Sequence, residues 1–371
     1  MGFKAEKKMI KLKDFSFFSF HSDKSVYCNE KTAKLSLLKY FLILLFPWLI
    51  IIPFSCQTHQ KSFDIQGGHR GARGLAPENT LTGFQKAIDI GVTTLEFDIG
   101  VTKDRVAVIY HDTFINPEIC LQRDGQKIKM DSLSHGPYIK NLTLAEIKLF
   151  DCGMLNPNIN RFSEPPRVNN QGEFIPTLQE LFDLLDQYPN RNIWCNIELK
   201  TNPHDLSTLP FTEFIEVVLK VIKNNHREGR VNIQSFQWNV LKYIRNHHPG
   251  FILSGLMDIS SIKPINNSTP SPWLNGIDFN QEGGTSLGIL QKAKDYIDIF
   301  SPSWQLITPT NPLYLGSSVR EIQSYGFKVI PWTVNNRNRM EALINEGVDG
   351  IITDYPNRLI SVLYDLNIFV K

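Results

Sequence analysis

The feature that most constrains this chain begins at Ile65, where short apolar runs of strand character alternate with amphipathic stretches of helical period. Strands are expected at 65–70, 93–101, 105–111, 192–200, 231–236, 251–257, 277–281, 296–302, 328–335 and 350–354. Helices are expected at 80–90, 177–188, 212–224, 238–247, 314–325 and 337–346. Repeated strand-then-helix order gives a parallel sheet covered by helices. About eight such units over about 300 residues suit a closed (β/α)8 barrel, here expected over 65–365. An open doubly wound sheet is the rival. Its glycine-rich dinucleotide turn is missing, because Gly67, Gly68 and Gly71 do not have the required spacing. Residues 113–175 break the rhythm. They are rich in Asn, Gly and Pro and read as an insertion on the barrel.

Composition excludes several classes. A hydrophobic content of 42% in 371 residues fills a real core, so a disordered chain is ruled out. The net charge of +2, from 39 basic and 37 acidic residues, leaves no electrostatic footprint for nucleic acid. Five cysteines without a C-x-x-C pair argue against a zinc module.

The N-terminus differs from the rest. Residues 41–54, FLILLFPWLIIIPF, are uncharged and follow Lys31, Lys34 and Lys39, which is the order of a signal peptide. The run is shorter than the roughly 20 residues of a membrane span, and Pro47 and Pro53 disfavour one long helix. Ser55-Cys56-Gln57 resembles a bacterial lipoprotein cleavage site, although Pro53 and Phe54 stand where Leu and a small residue are usual. Residues 1–56 are therefore expected to be a leader and 57–64 a polar tether. The protein is expected outside the cytoplasm, periplasmic or attached to the membrane through its N-terminus. Lipidation of Cys56, plain cleavage and an uncleaved anchor are the three outcomes. Export would expose Cys120 and Cys152, both in the insertion, to an oxidising compartment where they can pair.

Polar groups concentrate at expected strand ends. Glu96 and Asp98 lie two apart in an apolar strand, as do Glu198 and Lys200, so each pair shares a face. Three carboxylates converging on one barrel mouth repel one another unless a hard divalent cation, Ca²⁺ or Mg²⁺, sits among them. His69 and His111 also stand at strand ends, and imidazoles can divide general base and general acid work. Arg70 and Lys200 add the fixed positive charge that phosphoryl oxygens require. This combination suits a phosphodiester better than a sugar or a peptide.

The stretch GGHRGARGLAPENTLTGFQKAIDIGVTTLEFDIGVTKDRVAVIYHD (67–112) resembles the glycerophosphodiester phosphodiesterase family. IELK (197–200), IQSF (233–236), PWTVN (331–335) and GIITDYP (350–356) extend the resemblance, in order, to about Leu363. It implies a TIM barrel with a subdomain inserted after the second strand, and hydrolysis of glycerophosphodiesters to glycerol 3-phosphate and an alcohol. It also implies that His69 and His111 are the catalytic pair and that Glu96, Asp98 and Glu198 are the metal ligands. Arg70 and Lys200 would contact phosphate, and Trp332 would be an aromatic at the mouth, able to pack on the glycerol carbons. Glu78 is expected to support the site from behind, whereas Asn79 or Thr80 is expected to cap the helix 80–90. Two other readings are a phospholipase-like barrel acting on intact lipids and an exported, non-catalytic binding barrel.

Overall fold

The computed structural model describes residues 63–156, 160, 162, 165–204, 206–262 and 270–368. The leader 1–56 with Cys56, and residues 57–62 of the tether, lie outside the described residues. Eleven strands are present among those described: β1 (Asp64–Gly67), β2 (Thr94–Val101), β3 (Ala107–Ile109), β4 (Leu121–Gln122), β5 (Phe150–Asp151), β6 (Trp194–Leu199), β7 (Val231–Ser235), β8 (Ile252–Met257), β9 (Ile299–Pro302), β10 (Lys328–Val329) and β11 (Gly350–Thr353).

Eight of them form a parallel ring. Ladders join β2 to β6, then β7, β8, β9 and β10, and a separate ladder joins β1 to β11. The two remaining seams are closed by backbone hydrogen bonds. Thr93 N donates to Ile65 O (3.1 Å) and Glu96 N to Gly68 O (3.3 Å), tying β1 to β2. Asp349 N donates to Val329 O (2.8 Å) and Ile352 N to Pro331 O (3.0 Å), tying β10 to β11. Helices cover the outside, their apolar faces packed on the strands. In the helix Leu81–Ile90, Phe84 meets Phe97 of β2 edge to face, with ring centroids 5.6 Å apart. Truncating a buried aromatic of this kind to Ala costs about 3–5 kcal/mol.

Local chemistry explains where the elements depart from expectation. Residues 277–281 form turns rather than a strand, because the Asp278 carboxylate accepts from Asn280 N at 2.9 Å and Gln281 N at 3.3 Å, holding the chain in a bend. The strand expected over 328–335 shrinks to β10, since Pro331 has no N–H for the ladder. The helix expected over 314–325 starts only at Val319, where Ser318 and Glu321 form a capping box. Helices Ser286–Ala293 and Pro356–Asp365 are additions to the expected set.

The chain leaves the barrel after β2. β3 turns back antiparallel on β2, pairing Ile99 with Ile109. Ile115, Ile119, Ile128, Ile139, Ile147 and Ile175 then bury one another in a small core of their own. β4 and β5 pair antiparallel within this subdomain, and a Cys120–Cys152 disulfide links the residues flanking them.

Candidate active site

The candidate polar groups gather near the carboxyl ends of β1, β2, β6 and β11, with His111 just after β3. After β1 the chain makes a tight turn in which Gly68, Arg70 and Gly71 all take positive φ (104°, 57° and 82°). Only glycine has room at Gly71, where a Cβ would lie 2.9 Å from the backbone of Gly83. The turn points Arg70 N at Glu96 Oε2 (3.0 Å) and lets the Arg70 carbonyl accept from Asn79 N (2.8 Å).

Glu96 and Asp98 project from alternate positions of β2, and Glu198 sits opposite Asp98 in the parallel register with β6. One oxygen from each can lie within 4.8 Å of the others, and all three carboxylates are buried. Burial, with Asp98 and Glu198 close by, drives Glu96 well above its ordinary value of 4.5. Burial likewise pushes Glu198 up to about 7, against the pull of Lys200. Asp98 goes the other way: burial opposes its charge, but His111, Arg70 and Lys200 outweigh it. Lys200 Nζ, 2.7 Å from Glu198 Oε1, and the Arg70 backbone N–H on Glu96 therefore only partly offset the burial of these two carboxyls. A buried set of hard oxygen donors with that deficit fits a hard divalent cation.

The histidines flank this trio. His69 Nδ1 lies 2.7 Å from Asp354 Oδ1, and the second Asp354 oxygen accepts from Asn335 Nδ2 at 2.6 Å. His111 Nδ1 lies 2.6 Å from Asp112 Oδ1, while its Nε2 is 3.1 Å from Lys200 Nζ. An ammonium can only donate, so His111 carries its proton on Nδ1 and offers the Nε2 lone pair. The same logic puts the His69 proton on Nδ1 against the Asp354 carboxylate. Burial lowers both imidazoles. His111 falls to about 4, with Arg70 and Lys200 adding to the effect.

A cavity of about 420 Å³ opens over these groups. His69, Arg70, Glu96, His111, Glu198, Lys200 and Trp332 are all in its wall, while Asp98 completes the carboxylate trio. Aromatic residues Phe236, Trp304 and Trp332 share the wall with the charged groups. Trp332 is fixed by Nε1 donating to Ser301 O (2.8 Å) and meets Phe236 edge to face at 5.5 Å.

The model for the glycerophosphoryl diester phosphodiesterase family matches residues 69–358. The chain belongs to this family. A glycerophosphodiester phosphodiesterase of Caldanaerobacter subterraneus is 29% identical over 80% of this chain and 96% of its own. A solved structure from Silicibacter pomeroyi, assigned as a glycerophosphoryl diester phosphodiesterase, has a TM-score of 0.67 and 29% identity over 82% of this chain and 94% of its own. A phosphodiesterase of Oleispira antarctica, solved with the product sn-glycerol 3-phosphate, shares the fold at a TM-score of 0.57 and 23% identity, covering 80% of this chain and 95% of its own.

Against this family background, the structure shows which neighbours hold the candidate residues, several of them given no role from the sequence. Asp354 and Asn335 stand behind His69, and Asp112 stands behind His111. Gln234 Nε2 donates to Glu96 Oε1 at 2.7 Å, fixing one carboxylate of the trio. Glu78 bridges Arg70 Nη1 (2.7 Å) and Arg73 Nε (2.6 Å), and the two guanidiniums hold its carboxyl down at about 2 despite burial. Asn79 needs correction as a capping candidate. Thr80 caps the helix, accepting from Gly83 N, whereas the Asn79 amide donates to Asp98 Oδ2 at 3.0 Å.

Proposed function

We propose that His69 and His111 carry the protons of a phosphodiester hydrolysis in this pocket. Membership of the family supplies the reaction: a glycerophosphodiester and water give sn-glycerol 3-phosphate and an alcohol. The observation that carries the assignment is the pair of imidazoles on either side of one buried carboxylate trio, each backed by its own aspartate. Glu96, Asp98 and Glu198 would hold a divalent cation, which would supply charge to offset the phosphoryl oxygens, and their all-oxygen donor set suits Ca²⁺ or Mg²⁺.

The chain's own groups do the rest. Arg70, held by Glu78, and Lys200, held by Glu198, present fixed positive charge to the phosphate. One imidazole Nε2 takes the proton of the attacking hydroxyl, and the other protonates the departing alkoxide. An anionic substrate beside the rings raises their proton affinity, which prepares one of them for the acid role. The face of Trp332 packs on the glycerol carbons while its N–H stays on Ser301.

The test is glycerol 3-phosphate release from a panel of glycerophosphodiesters, with lysophosphatidylcholine and phosphatidylcholine as intact-lipid arms. Chelation should abolish turnover and Ca²⁺ or Mg²⁺ restore it. His69→Ala and His111→Ala should each lower kcat by roughly 10²–10⁴-fold. Full activity after exhaustive chelation, or wild-type kcat in either variant, defeats this reading.

From the leader sequence we also propose export with lipidation at Cys56, which would tether the barrel to a membrane through residues 57–64. Mass spectrometry of the mature N-terminus decides, and an intact residue 1–56 segment refutes it.

A further inference from the structure

The mechanism above makes no use of the Cys120–Cys152 disulfide, yet a continuous chain of contacts runs from it to His111. His111 lies beyond the end of β3 in a segment without helix or strand, so side-chain contacts set its orientation. Its Nδ1 is held by Asp112, whose second carboxylate oxygen accepts from Asn116 Nδ2 at 2.8 Å. Asn116 also opens a tight turn: its Oδ1 accepts from Glu118 N (2.9 Å) and its carbonyl from Ile119 N (3.0 Å) and Cys120 N (2.9 Å). Its own N–H donates to the Tyr110 hydroxyl (2.9 Å), which lies 3.4 Å from Cys120 Sγ. Cys120 is joined to Cys152, and the neighbouring Leu121 pairs with Asp151.

We propose that Asn116 and the Cys120–Cys152 disulfide form a positioning device for His111, in which the crosslink pins the turn 116–120 and Asn116 passes that restraint to Asp112. The contrast with His69 supports this. Asp354, the partner of His69, follows β11 directly and is fixed by Asn335, so that histidine is positioned by the barrel itself. His111 depends instead on the insertion. An oxidised crosslink then keeps the His111 ring aimed, and reduction by a thiol or phosphine, which converts the disulfide to two thiols, frees the turn and lowers turnover. Orientation of this kind is an effect on kcat, because it alters the proton-transfer geometry and not the groups that hold the phosphate.

The inference rests on the proton role of His111, and one experiment separates the two. kcat and KM for glycerophosphocholine are measured for the full chain with its cation, before and after treatment with a phosphine reductant. The proteins are wild type, Asn116→Asp and His111→Ala, each with its unfolding temperature. Asn116→Asp keeps the acceptor that closes the turn but sets a carboxylate against Asp112. It should lower kcat by about tenfold or more, with KM and the unfolding temperature little changed. Reduction should lower kcat of the wild type several-fold and leave Asn116→Asp almost unaffected, because two changes in one network do not add. Wild-type kcat in Asn116→Asp, or equal fold losses on reduction in both proteins, overturns the inference while His111→Ala remains inactive. Wild-type kcat in His111→Ala overturns the proton role itself. Should reduction unfold the protein, the kcat of oxidised Asn116→Asp still decides.

Discussion

In the proposed proton chemistry Asp354 is the partner of His69, and it lies within the GIITDYP run (350–356). It is fully buried, holds His69 Nδ1 through one oxygen and accepts from Asn335 through the other. Replacing the carboxylate with an amide preserves the shape but offers an N–H where an acceptor is needed, so the His69 tautomer can reverse. Asp354→Asn should therefore lower kcat by roughly 10²–10⁴-fold while sn-glycerol 3-phosphate still binds. Steady-state kinetics with product titration checks this, and a kcat within a factor of about two of wild type would show that His69 needs no orienting partner. The carboxylates of the site are legible in the sequence because two charges on one face of an apolar strand are costly to bury unless a counter-charge meets them. The pairing of Asp354 with His69 is not, because the two lie 285 residues apart and only the closed ring brings them together. Asn79 departs from expectation for a related reason. Asn is a common helix cap, and only the tertiary structure shows its amide spent on Asp98 instead.

At the scale of elements, the strands that build the site are those most clearly written in the sequence. β2, β6, β7 and β8 alternate apolar residues with buried polar ones such as Glu96, Asn196, Asn232 and Gln234, and both faces of these strands are covered. Elsewhere local bonding outweighs the apolar pattern. Residues 277–281 contain Ile and Phe, yet Asp278 captures two backbone N–H groups and a turn results. The insertion is visible in the sequence only as a loss of rhythm. Its small isoleucine core, short β4–β5 pair and crosslink follow no period that a sequence reading could count. The turn after β1 is the opposite case. Its glycines are conspicuous, but the strain falls on Arg70, a non-glycine residue at φ 57°. That conformation is stabilised by the bonds it allows, from Arg70 N to Glu96 and from Asn79 N to the Arg70 carbonyl, so the backbone of the residue proposed to contact phosphate is tied to a carboxylate of the trio.

For the whole molecule, the trio makes stability depend on pH in a way that a bound cation should reverse. Without a cation, Glu198 titrates near 7 in the folded protein against an ordinary 4.5, and Glu96 is raised in the same direction. A raised carboxyl pKa means that the folded state holds the proton more tightly. Its contribution is present below 4.5 and is lost as pH rises through about 7. For Glu198 alone this amounts to on the order of 3 kcal/mol as an upper bound. The histidines act in the other direction. His69 and His111 are lowered from 6.5, so they destabilise the fold as pH falls below that value and are neutral in both states above it. Glu78, held at about 2, titrates below the whole range. The carboxyls therefore govern the interval just above pH 6.5, and chelated protein should lose unfolding temperature from there to about pH 8. A cation requires the ionised carboxylates, so its stabilising effect should grow over the same interval. Calorimetry of chelated and Ca²⁺- or Mg²⁺-loaded protein at several pH values measures both curves. If the chelated protein is as stable at the alkaline end as near pH 6.5, the three carboxylates are compensated by the protein itself, and the case for a cation among them is lost.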